Sequence, residues 1–140
     1  MYNTGDFAKV VEISTINLKI YPSSLNIYNI RAGAYLALGH YQSALSDYVS
    51  ILNVNSESSE TYFNIGVLMN LCSLQDKAIE SYEECLRLNP KHFKALMNLG
   101  DILYRNNRFV EAYKYFELAL KLDIENVDAN FNLGNIQFHI

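Results

Sequence analysis

The chain holds two prolines, six glycines and two cysteines in 140 residues. So few prolines and glycines disfavour an all-β protein, whose many turns depend on them. Two cysteines, Cys72 and Cys85, are too few for a small disulfide scaffold, and a chain of this length builds a core without such staples. They are expected as two buried thiols in a reducing compartment. No apolar run approaches the ~20 residues that span a bilayer, so no membrane insertion is expected. The opening stretch MYNTGDFAKVVE has neither a basic start nor a long apolar core. No targeting signal is visible, and a cytoplasmic location is expected. Basic residues number 11 against 15 acidic ones, for a net charge of −4. Beyond KHFK at 91–94 there is no Lys/Arg cluster, so nucleic acid is not an expected partner. What remains is a folded chain, 50% hydrophobic and 19% charged.

What is present is a repeat. FNIGVLMN starts at Phe63, MNLGDILY at Met97 and FNLGNIQF at Phe131. Gly66, Gly100 and Gly134 stand 34 residues apart, and one step upstream is Ala32. A second motif keeps the same period. Ala44, Ala78 and Ala112 are in register, as are Tyr48, Tyr82 and Phe116. One step earlier, Val10 takes the alanine slot and Ser14 the aromatic slot. The chain divides into a half unit at 1–24 (second helix), full units at 25–58, 59–92 and 93–126, and a half unit at 127–140 (first helix). Each full unit contains two stretches with apolar positions at helical spacing. Asn/Ser/Pro-rich links such as YPSS at 21–24 and LNP at 88–90 separate them. Small residues of the first helix are expected to meet the alanines of the second, with the aromatics filling the space beside them. One such pair cannot bury its apolar face alone, so successive pairs stack into an all-α solenoid.

The pattern resembles the tetratricopeptide repeat (TPR) family over the whole chain, most specifically over 59–126. Ile65-Gly66, Leu99-Gly100 and Leu133-Gly134 match its Leu-Gly pair, and Tyr28, Tyr62 and Leu96 occupy its tryptophan slot. Pro22 and Pro90 take its terminal proline slot. Arg31-Ala32 departs from the Leu-Gly pair, and Ser56 and Ile124 stand where proline is usual. The resemblance implies a right-handed superhelix of antiparallel helix pairs. It also makes the last stretch the first helix of a further unit, as expected of a segment of a longer array.

The resemblance further implies that the first helices line a concave groove. In this register Asn64, Asn98 and Asn132 form one column there, with Phe63, Met97 and Phe131 beside it. An asparagine offers donors and an acceptor that can bracket a peptide's own N–H and C=O. The column is similar to the asparagine ladder in the superhelix of O-GlcNAc transferase. Lys94 and Arg105 add charge to the same surface, opposed by Glu60, Asp101 and Asp128. The carboxylate clamp with which some TPR cochaperones hold acidic chaperone tails needs a Lys and an Asn in one unit, an Asn in the next, then a Lys and an Arg. Here the first unit fails and the third is half right, so chaperone-tail binding is not expected. The positions that match it are Asn29 and Gly33, then Asn64, then Lys94 and Asn98.

No catalytic constellation is present. His40, His92 and His139 share no metal-ligand spacing with a Cys or carboxylate, and no Gly-rich phosphate loop occurs. No enzyme activity, cofactor or metal is expected. The reading is a scaffold or adaptor that binds a protein or peptide segment. Two alternatives stand beside it. One is the substrate-recruiting arm of a larger enzyme, such as a glycosyltransferase. The other is an architectural array that self-associates through exposed terminal helices.

Overall fold

The structure is a computed structural model, and it describes residues 4–140. Eight helices follow one another among them, with no strand. They are α1 (Thr4–Ile20), α2 (Leu25–Ala37), α3 (Tyr41–Val54), α4 (Ser59–Leu71), α5 (Gln75–Leu88), α6 (Phe93–Arg105), α7 (Phe109–Leu122) and α8 (Val127–Ile136). Packing is densest within α2–α3, α4–α5 and α6–α7, and α3–α4, α5–α6 and α7–α8 join successive pairs. Every element touches its chain neighbours, which is the pattern of a solenoid.

Local chemistry starts and stops these helices with the same period. Ser24, Ser58, His92 and Asn126 precede α2, α4, α6 and α8, and each side chain accepts a hydrogen bond from a first-turn amide. That interaction satisfies a donor the helix cannot. The partners are the amides of Ile27, Thr61, Ala95 and Ala129. The turns inside each pair use a different device. Gly39, Ser73 and Asn107 adopt the left-handed conformation, with φ of 74°, 60° and 60°. The next amides, of His40, Leu74 and Arg108, bond back to the carbonyls of Tyr35, Met69 and Leu103. This closes the helix ends in Schellman fashion and turns the chain at once into the second helix.

The core runs through the array as a main cluster from Ala32 to Ile136, with a smaller one of Leu96, Ala119 and Ala129. Ala44, Ala78 and Ala112 are fully buried, as are Tyr82, Phe116, Leu99 and Cys85. Each large side chain so buried contributes about 1.5–3 kcal/mol. A Cβ built on Gly66 or Gly100 would first meet the ring of Tyr82 or Phe116, so the aromatic of the second helix lies against each of these glycines. The thiol expectation holds for one cysteine. Cys85 is buried, whereas Cys72 is half-exposed in the cap of α4.

The first full unit solves its Arg31 differently. Arg31 Nε and Nη2 grip both oxygens of Asp47 at 2.9 and 2.6 Å. Its Nη1 donates to Thr15 Oγ1 at 3.0 Å. The guanidinium thus ties α2 to α3 and to α1, and it lies 5.8 and 5.7 Å from the rings of Tyr28 and Tyr35. The Asp47 bond is the main reason that the Arg31 pKa is raised, against an opposing effect of burial.

Candidate functional site

Asn64, Asn98 and Asn132 are each the sixth residue of α4, α6 and α8. All three are half-buried, so their amides sit at the boundary between core and surface. They do not have identical surroundings. Asn98 Nδ2 donates to the hydroxyl of Tyr82 at 3.2 Å. Tyr82 is the side chain seated on Gly66, so the core fixes the direction of this amide. Burial pushes the Tyr82 hydroxyl up, and the Asn98 bond opposes that shift. One N–H of Asn98 is committed there, while its carbonyl oxygen remains an acceptor.

The apolar column varies more. Phe63 is half-buried and stacks on His92 at 4.7 Å, with Tyr82 at 5.9 Å. Met97 is half-buried beside Leu96 and Tyr115 in the core. Phe131 is 67% exposed. In the first full unit these positions are Asn29 and Ile30, both exposed. The charged residues also divide. Arg105 pairs with Asp101 at 2.9 Å one turn earlier on α6, and both are largely solvated. Such a pair contributes less than about 1 kcal/mol and leaves little net charge. Lys94 is exposed in the first turn of α6.

His92 is the participant that the sequence reading passed over. Its Nδ1 accepts from the Ala95 amide at 3.2 Å, and its Nε2 lies 2.9 Å from Glu60 Oε2. An accepting Nδ1 leaves the proton on Nε2, which donates to Glu60. One imidazole therefore caps α6, orients Glu60 of α4 and supports Phe63. The signal was available. His92 stands 34 residues after Ser58 and 34 before Asn126, in the column of helix-capping residues.

No group of His, Cys, Asp and Glu able to hold a metal ion occurs among the described residues. No helix among them is long and apolar enough to cross a membrane.

Residues 59–92 and 76–127 match tetratricopeptide-repeat families. Solved structures extend the likeness to nearly the whole chain. The crystal structure of MamA is 18% identical, with a TM-score of 0.86 over 96% of this chain and 78% of that one. The fold is a TPR solenoid. A tetratricopeptide repeat protein from Parabacteroides merdae ATCC 43184 superposes with a TM-score of 0.88 at 20% identity. That match covers 96% of this chain and 54% of the other. The first TPR of Spaghetti (RPAP3), bound to the HSP90 peptide SRMEEVD, superposes with a TM-score of 0.74 at 19% identity. It covers 81% of this chain and 90% of that one. At these identities the TPR likeness shows the fold alone. No curated protein matches the chain.

Proposed function

We propose that this TPR array is a scaffold that holds an extended peptide or protein segment on its first-helix face. The observation that carries the reading is the column of Asn64, Asn98 and Asn132, placed at one position of three successive first helices. The amides bracket the backbone of the bound segment, and Phe63, Met97 and Phe131 receive its apolar side chains. The similarity of this column to the ladder of O-GlcNAc transferase belongs to the same reading. So does a cytoplasmic setting, in keeping with the free thiols Cys72 and Cys85. The function asked of these side chains is binding, not catalysis.

The test is the triple variant Asn64→Ala, Asn98→Ala, Asn132→Ala, assayed against peptides selected on the native chain from a random 12-residue library. Affinity should drop at least tenfold while the helical circular dichroism stays unchanged. Unchanged affinity rejects the ladder.

The exposed apolar side chains at α8 support a second reading, an array that self-associates through this end. Val127, Phe131 and Phe138 are all exposed. Mass in solution would then rise with concentration, and Phe138→Lys would abolish the rise. A constant mass removes this reading.

A further inference from the structure

Beside the asparagine column, between the starts of α2 and α4, lies a recess of about 210 Å³. At ~30 Å³ per water that is room for roughly seven waters, or one long side chain. Leu25 and Ile51 give it apolar walls, and Asn26, Asn29, Asn55 and Glu60 add polar groups. Its chemistry is one-sided. Glu60 is the one ionised side chain lining it, and no Lys or Arg does so.

The polar groups are unevenly engaged. Asn55 Oδ1 already accepts the amide of Glu57, and the Ser58 and Thr61 hydroxyls bond each other. The side chains of Asn26 and Asn29 make no hydrogen bond to another described residue. Glu60 is held by His92 through one oxygen, and its side chain is 67% exposed. His92 Nδ1 is taken up by the Ala95 amide and Nε2 faces Glu60 Oε2, so the second oxygen of Glu60 makes no hydrogen bond to a described residue.

The geometry points to a pocket for a basic side chain, lysine or arginine, carried by the segment bound on the first-helix face. The stem lies along Leu25 and Ile51, as long basic side chains do on apolar surface. The cationic head meets the Glu60 carboxylate and the carbonyl oxygens of Asn26 and Asn29. Glu60 is three and four residues before Phe63 and Asn64, and so shares their side of α4. His92 joins the two features, since it orients Glu60 and stacks on Phe63. The unit in which the asparagine column breaks, at Asn29 and Ile30, is the one that supplies this recess. The partner is then a segment with a basic residue next to apolar ones. An acidic peptide would bring like charge to Glu60. This inference rests on the groove reading and narrows it.

Selection of random 12-residue phage-displayed peptides on the whole chain tests it. The selected sequences should be enriched in Lys or Arg beside aliphatic or aromatic residues. One lysine peptide is then compared with its norleucine analogue, by fluorescence anisotropy, on the native chain and on Glu60→Gln. Glutamine keeps an oxygen for His92, so the cap of α6 survives. The lysine peptide should lose roughly 3-fold or more in affinity on Glu60→Gln, and the analogue should not change. Enrichment in Asp and Glu, or equal behaviour of the two peptides, overturns the inference. Peptides lost on the triple asparagine variant but indifferent to Glu60→Gln leave the groove reading standing without this pocket. Peptides indifferent to the asparagines, or a library without binders, overturn the groove reading and the pocket together.

Discussion

The ring of Tyr82 lies in the space that a side chain on Gly66 would need. A Cβ built there would come within 2.6 Å of the ring. Gly33, on α2, has no atom within 4 Å of the same point. The two glycines should therefore respond oppositely to alanine. Gly33→Ala should stabilise by about 0.5–1 kcal/mol through helix propensity alone. Gly66→Ala gains the same propensity but displaces a buried ring, at a cost of about 1–3 kcal/mol. The net should be a loss of about 1 kcal/mol. Urea denaturation of both variants checks the signs, and a Gly66→Ala chain more stable than the native one contradicts the contact.

Arg31 and Asp47 form the one strongly buried ion pair described, with Asp47 only 3% exposed. Arg31→Ile alone strands that carboxylate and should cost about 3–5 kcal/mol. The second unit shows the remedy, since Ile65 and Ser81 occupy the equivalent positions. Arg31→Ile with Asp47→Ser should recover at least half of the loss. Thermal melts of the two single variants and the double one give the coupling directly, and additive losses would show the pair to be unimportant.

These two cases mark where the sequence was legible. Gly66, Gly100, Tyr82 and Phe116 stand out because every unit must solve the same packing problem with the same period. The helix pairs and the core follow from that period. Arg31 reads only as a departure from the pattern. Its partners Asp47 and Thr15 come from two other helices, at separations that no local spacing reveals. The asparagine column is visible as a column, but the bond from Asn98 to Tyr82 is not. It depends on how closely α5 and α6 approach. The register of His92 with Ser58 and Asn126 marks it as a helix cap, but its contact with Glu60 shows only in the structure.

The left-handed turn residues offer a stabilising change. Ser73 and Asn107 occupy a conformation that Gly39 adopts without steric cost. Ser73→Gly should raise stability by about 0.5–1 kcal/mol, because Ser73 lies outside the helices, where glycine's helix penalty does not apply. Differential scanning calorimetry measures it. A lower melting temperature contradicts the role given to this turn.

Stability should fall in alkali. Burial pushes the Cys85 thiol up from 9.0 to about 11, with Glu60 adding to the shift. Burial, then Asp47, pushes the Tyr48 hydroxyl up from 10.0 to about 12. Both groups hold their protons more tightly folded than unfolded. Their contributions are complete below the unfolded values and are lost as pH rises, between 9 and 11 for Cys85 and between 10 and 12 for Tyr48. The loss is on the order of 2–3 kcal/mol for each group. Urea midpoints from pH 8 upward should decline from about pH 9, and Cys85→Ala should delay the decline by roughly one unit. A flat profile to pH 11 contradicts the burial of these groups.

The central claim is that a segment binds along the first helices. The most direct measurement is an NMR titration of the ¹⁵N-labelled chain with a library-selected peptide, following the asparagine side-chain amides. The account predicts that Asn64, Asn98 and Asn132 shift together, while Asn70 and Asn106, near the far ends of α4 and α6, stay in place. Shifts confined to α3, α5 and α7, with the three amides unmoved, would place binding on the opposite face and contradict it.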